Sequence, residues 1–231
     1  MLVHLSVDDL KFFARHLPDA DHVLALPSID PEFIGAAAAS SGPPPTEMID
    51  LFFVGTQHVA NVQALDWFFS RVWPLIAGRG LTLKIAGRID DLMQQKLPRI
   101  HARFREHFVG AVGDLAPYYR AARCVIAPMV SGRGVSIKTI EALALGLPFV
   151  GTSKAFRGMP MDVVRATGLQ PHDEPQAFAD AILAALANGT AAGSQSRAAY
   201  DDFFSRQAHF SALDNAVCLA LETRGQDRPS S

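Results

Sequence analysis

Residues 131–150 read Ser131-Gly-Arg-Gly-Val-Ser-Ile-Lys-Thr-Ile-Glu-Ala-Leu-Ala-Leu-Gly-Leu-Pro-Phe-Val150. They set two cations, Arg133 and Lys138, two glycines, Gly132 and Gly134, and one carboxylate, Glu141, where an apolar strand should give way to a helix. Such a junction suits an anion, because the free amides of a helix N-terminus carry about half a positive charge. Lys138 and Glu141 stand three apart and so share a helix face. A carboxylate beside a phosphate site suits hydrogen bonding to sugar hydroxyls better than contact with the phosphate. The same residues also fit a solvated lysine and glutamate pair on a helix, with the glycines only turning the chain.

Gly132-Arg-Gly-Val-Ser-Ile-Lys138-Thr139 comes within one residue of the phosphate loop G-x-x-x-x-G-K-[ST]. Ile137 stands where the second glycine should be, and a β-branched side chain resists the backbone that wraps a phosphate. Other chemistries lack an anchor. No G-x-G-x-x-G follows a predicted strand, and Gly110-Ala-Val-Gly113 has the wrong spacing. The eight histidines show no metal-ligand spacing. Asp19-Ala-Asp21, Asp90-Asp91 and Asp201-Asp202 read as caps or exposed charges, so no metal is expected. No G-x-S-x-G elbow occurs.

The elements that must position the cations follow from the apolar pattern. A strand over 122–127 ends at Pro128; the helix after the loop should bury Ile137, Ile140, Ala144 and Leu147, and Gly146 with Pro148 should stop it before the next strand. Upstream, 49–54 is an apolar strand closed by Gly55. Val62, Leu65, Phe69, Val72 and Ile76 then mark an amphipathic helix ending near Pro74 and Gly78. Strands over 81–86, stopped by Gly87, and 107–109 follow, with a helix over 115–121. Continuous apolar strands alternating with helices predict an α/β, Rossmann-like parallel sheet covered on both faces.

Strands stop after residue 174. Phe178, Ile182, Leu183 and Leu186 give one helix; Tyr200, Phe203, Phe204, Phe210, Leu213, Val217 and Leu221 give one or two more, as core positions. At the front, Ser6 or Asp8 could cap a helix running to His16, with a strand-like run over 23–26. Residues 36–46, rich in alanine, serine and proline, have the composition of a surface linker. The expected organisation is a remnant of a preceding domain with its connector (1–30), a linker (31–47), a Rossmann-like nucleotide-sugar-binding domain (48–190), carboxyl-terminal helices (191–223) and a tail (224–231).

Of 231 residues, 49% are apolar and 19% charged, an ordinary globular balance. With 21 basic and 23 acidic side chains, the net charge of -2 offers no basic field for nucleic acid. Cys124 in a buried strand and Cys218 in a terminal helix read as packed thiols, which points to a reducing, cytoplasmic location. No apolar run reaches the roughly 18 residues that span a bilayer, and the first residues lack the charged start, apolar centre and cleavage site expected of a signal peptide. Peripheral attachment through an exposed apolar helix face stays open.

From residue 51 onward the order of elements resembles the carboxyl-terminal, donor-binding domain of two-domain glycosyltransferases of the GT-B fold, family 4 type, over roughly residues 49–190. Phe53-Val-Gly-Thr56, with Asn61 soon after and Trp67-Phe68 in the helix, is similar to the opening strand and helix of that domain. Leu83-Lys-Ile-Ala-Gly87 is similar to its second strand, and Phe108-Val-Gly-Ala-Val-Gly-Asp-Leu115 with Tyr118-Tyr119 to the segment lining the nucleobase. The run from Arg133 to Val150 carries most of the match. In that family two glutamates bracket this run; Glu141 matches the second, and Arg133 replaces the first, which resembles a bacterial polysaccharide-type subgroup.

The resemblance implies a nucleoside-diphosphate sugar as substrate, UDP type slightly favoured, with no cofactor and no metal. Arg133 and Lys138 would hold the diphosphate, Glu141 the ribose, and Gly134 the close backbone approach. Gly55, Thr56 and Val112 complete the implied donor-binding set; no catalytic residue is assigned. The loop after Gly55 lacks the arginine and lysine that many members use on phosphates. Residues 1–30 resemble only the last strand, helix and linker of an acceptor-holding domain. The expected function is therefore a glycosyltransferase donor domain, incomplete without an acceptor domain that a separate chain could supply, cytoplasmic or peripheral to the inner membrane. The alternatives are a non-catalytic nucleotide-sugar-binding partner subunit and a phosphate-loop nucleotidase.

Overall fold

The chain opens with a small parallel pair, β1 (Leu2–His4) and β2 (His22–Leu24), joined by the helix Val7–His16. Ser6 starts that helix: its hydroxyl accepts the Asp9 N–H at 3.1 Å. Asp8 and Asp9 in the first turn, and Arg15 and His16 in the last, match the helix dipole. The computed structural model describes residues 1–38, 47–189 and 193–226.

The body is a parallel sheet of β3 (Ile49–Val54), β4 (Leu83–Ala86), β5 (Phe108–Gly110), β6 (Ala122–Ala127) and β7 (Phe149–Gly151), in the order β5-β4-β3-β6-β7. The chain builds outward from β3 to β5, then returns to lay β6 on the other side of β3. The strand order thus reverses between β3 and β6, and a crevice opens outside their carboxyl ends. Leu51, Phe52, Phe53 and the run from Cys124 to Ala127 are all 0% exposed, which is why these strands are continuously apolar. Burial pushes the Cys124 thiol up to about 12, so it is an inert packed thiol.

Four segments depart from the sequence expectations. First, the helical run that starts at Val59 ends between Pro74 and Gly78 as expected but is not one continuous α-helix: Val59–Trp67 passes through a π-helical turn, Phe68–Val72, before Trp73–Ile76. A proline ring clashes with the carbonyl four residues earlier, here Ser70, and the widened turn makes room for it. The turn also lets Phe68, Phe69, Val72, Trp73 and Ile76 all face the core. Second, the stretch expected as linker begins with a helix, Pro31–Ala38. Asp30 Oδ1 accepts the Glu32 N–H at 2.9 Å, Phe33 packs edge-on against Tyr119 with centroids 5.6 Å apart, and the alanines are strong helix formers. Residues 39–46 of the expected linker lie outside the described residues.

Third, the carboxyl-terminal aromatics divide. After the helix Pro175–Asn188, the helix Gly193–Phe203 buries Tyr200, and Phe204 behind it is 0% exposed. Phe210, Val217 and Leu221 on the long helix Arg206–Gln226 are exposed, as is Cys218. That helix meets the body along one side only, where Ala216 is buried and the His209 ring bonds the Leu26 carbonyl at 2.8 Å. Fourth, it runs past residue 224, where a tail was expected; 227–231 lie outside the described residues. Among the described residues no helix is long and apolar enough to cross a membrane.

Candidate functional site

At the carboxyl ends of β3 and β6 lies a cleft of about 340 Å³. Gly55 in its lining rests on main chain. Gly87 has φ +105, and a Cβ there would stand 2.3 Å from the Gly55 carbonyl oxygen. Glycine at 87 therefore lets the loops after β3 and β4 touch main chain to main chain, and the Gly55 N–H donates to the Ala86 carbonyl at 2.9 Å.

Two helix N-termini form the walls. His58 caps the helix Val59–Trp67, its Nδ1 accepting the Ala60 N–H at 3.1 Å, so a neutral ring carries its proton on Nε2. Ser136 precedes the helix Ile137–Ala144 without a side-chain cap bond, which leaves first-turn amides to face the cleft. Both positive helix ends border the same space as Arg133, Lys138 and Arg157, with Glu141 the one carboxylate in the lining.

Lys138 reaches inward. Its Nζ donates to Asn61 Oδ1 at 2.7 Å and lies 4.4 Å from the centroid of the Phe53 ring. Burial, and then the positive field of Arg157, push its pKa down to about 7, while Glu141 opposes the fall. Glu141 accepts the Tyr119 hydroxyl at 2.6 Å. Burial raises the Glu141 pKa, held back by that hydrogen bond and by Lys138. Arg157 follows the short 3-10 helix Ser153–Phe156; its Nη1 donates to the Lys154 carbonyl at 2.9 Å and its Nε to the Arg133 carbonyl at 3.2 Å.

Of the residues singled out from the sequence, Gly55, Thr56, Arg133, Lys138 and Glu141 line this one cleft. Val112 and Gly134 do not: Val112 packs against the core while Leu115 lines the wall, and Gly134, with φ +64, shapes the loop beside it. Ile137 is 46% exposed at the cleft instead of buried, because no element covers the first turn of its helix; Ile140, Leu143 and Ala144 carry the buried stripe.

The solvated-pair reading fails, since Lys138 and Glu141 each bond a side chain from another element. The phosphate-loop reading fails as well. Thr139, whose hydroxyl would have to reach magnesium, is 0% exposed and donates to the Ala155 carbonyl at 2.7 Å. Arg157 and His58 were not legible as site residues, since neither belongs to a local motif. Among the described residues no cluster of three ligand-type side chains could hold a metal ion.

Residues 49–188 match the profile of the family described as Glycosyl transferases group 1. No curated protein matches the chain. Among solved structures the chain is similar to a glycosyltransferase from Rickettsia africae, with 13% identity and a TM-score of 0.64 over 94% of this chain and 62% of that one. It is also similar to Anabaena HepE in complex with UDP and glucose, at 13% identity and a TM-score of 0.62 over 94% and 62%. The pneumococcal O-GlcNAc transferase GtfA, solved with UDP and GlcNAc, is similar at 16% identity and a TM-score of 0.61 over 92% and 44%. At these identities the likeness is one of fold. The chain spans 62% of the length of the Rickettsia protein.

Proposed function

The chain belongs to the glycosyl transferases group 1 family, and from that premise we propose that it is the donor-binding part of a GT-B glycosyltransferase acting on a nucleoside-diphosphate sugar. The observation that carries this reading is the convergence of two helix N-termini and Lys138 on one cleft, with a single carboxylate, Glu141, one turn farther along the helix. Lys138 and an arginine of the lining face the diphosphate, and Glu141 accepts a hydrogen bond from a ribose hydroxyl. The nucleotide is of the UDP type. Departure of the diphosphate builds negative charge on its oxygens, and cations with oriented amides in a partly buried cleft favour that state over the bound donor.

The match of Glu141 supports placement in family 4, and Arg133 in place of the first glutamate supports a subgroup serving bacterial polysaccharide synthesis. An acceptor domain, on the same or a separate chain, would complete the reaction at the cytoplasmic face of the inner membrane. Thermal unfolding with uridine, adenosine, guanosine and thymidine diphosphates tests the reading. A diphosphate at about 100 times its dissociation constant should stabilise the protein by roughly 2.7 kcal/mol. No shift with any of the four would overturn it.

A further inference from the structure

The motif from Arg133 to Glu141 supplies two cations, yet only one of them, Lys138, lies in the depth of the cleft. Arg133 is exposed at the rim, and its guanidinium has no partner among the described residues. What Arg133 contributes inward is its carbonyl, which accepts the Nε–H of Arg157 at 3.2 Å. The Lys154 carbonyl accepts from Nη1 at 2.9 Å, so two of the three guanidinium nitrogens are held by main chain. The third, Nη2, has no protein partner among the described residues.

We propose that Arg157, rather than Arg133, is the partner of Lys138 on the donor diphosphate, a fixed guanidinium that binds the phosphate charge developing as the sugar leaves. This rests on the nucleotide-sugar reading above. Three observations support it beyond the position in the lining. The guanidinium is pre-oriented by two carbonyls, one from the loop before the helix Ile137–Ala144 and one from the 3-10 turn that precedes Arg157, so little side-chain freedom is lost when an anion binds. Gly132, with φ +129, is shaped around it: a Cβ there would lie 2.9 Å from Nε and 3.0 Å from Cζ of Arg157, so any side chain at 132 displaces the cation. And Arg157 acts on Lys138 electrostatically, so the two cations are close enough to repel. Two cations held together across a cleft that holds one carboxylate, Glu141, leave a net positive charge that suits an anion bridging both.

The test is calorimetric titration of the wild-type chain, Arg157→Ala, Arg157→Lys and Arg133→Ala with uridine diphosphate and uridine monophosphate, with adenosine and guanosine diphosphates as base controls. Arg157→Ala should weaken the binding diphosphate about tenfold to a hundredfold and its monophosphate by much less, Arg157→Lys should recover part of the loss, and Arg133→Ala should cost about threefold or less. General damage to the fold would lower diphosphate and monophosphate affinity together, and that outcome overturns the proposal. So does an Arg133→Ala loss larger than that of Arg157→Ala. If the wild-type chain binds none of the diphosphates, the donor-site reading itself falls, whereas a binding wild type with an unaffected Arg157→Ala sinks only the inference about Arg157.

Discussion

The Tyr119 hydroxyl donates to Glu141 Oε2 at 2.6 Å, tying a carboxylate of the site helix to the helix Ala116–Ala121. Tyr119 is 0% exposed and wedged edge-on between Phe52 and Phe33, at 5.0 and 5.6 Å between centroids, so it cannot follow a moving partner. One oxygen of Glu141 is thereby fixed, and Oε1 has no protein partner among the described residues.

Tyr119→Phe keeps the ring packing and removes the donor, leaving a buried acceptor unsatisfied at a cost of about 1 to 3 kcal/mol. Glu141 already has a raised folded-state pKa, and losing the bond raises it further. A raised carboxylate pKa makes stability fall as pH rises from the ordinary carboxylate range through the folded-state value. The variant's loss should therefore be larger at neutral pH than near pH 4, as read from urea midpoints. Equal losses at both pH values would show that the hydrogen bond is not what holds Glu141.

Nucleotide affinity should depend on pH through Lys138. Its folded-state pKa of about 7 in the free protein means that the ammonium which a diphosphate needs is lost as pH rises. The ligand's own phosphate ionises near pH 6 and adds little above that. The dissociation constant should climb by up to about tenfold per unit between roughly pH 7 and 9. Lys138→Arg, always charged, should flatten the slope; a slope that persists in this variant assigns the proton elsewhere.

Lys138→Met should separate stability from function. Replacing the cation should weaken diphosphate binding by about 1.5 to 3 kcal/mol. The same change should raise stability by about 1 kcal/mol, because the folded protein holds an ammonium less readily than the unfolded chain. A pKa depressed from 10.5 to about 7 leaves that group's share of stability intact above the unfolded value and lost as pH falls through the folded one. The variant's gain should accordingly grow as pH falls from about 10.5 to about 7 and level off below that in a calorimetric melt, and a loss of stability at neutral pH would contradict the assignment.

Gly87→Ala should cost at least about 2 kcal/mol and impair nucleotide binding, since the new Cβ meets the carbonyl of Gly55, which lines the cleft. Gly80→Ala is the control. Its φ of +68 is also left-handed, but a Cβ there meets nothing within 4 Å, so about 1 to 2 kcal/mol and no change in binding are expected.

The sheet was legible because its strands are buried on both faces and appear as unbroken apolar runs such as 49–54 and 122–127. The cations of the motif were legible because glycine, cation and carboxylate fall together at a strand-to-helix junction. Arg157 was not, because it reaches the cleft from a separate loop and only the folded chain sets it against Gly132. Ile137 departs from its pattern for the opposite reason: its spacing from Ile140 and Ala144 fits a buried stripe, but the first turn of a site helix is where covering elements are absent. The end near Pro74 and Gly78 of the helical run that starts at Val59 was legible but its π turn was not, since periodicity does not encode one, and the alanine run at 36–38 carries composition common to helices and linkers.

The contact between Gly55 and Gly87 gives the cleft an uneven evolvability. Behind the Gly55 lining the contact is main chain against main chain, with no room for a Cβ at 87, so few substitutions fit there. Leu115, Val135 and Ile137 line the same space with side chains that can drift in size and polarity without touching that seam. Relatives of this chain that diverge in ligand choice should then carry their differences at the counterparts of these three wall positions, while the two glycines stay invariant.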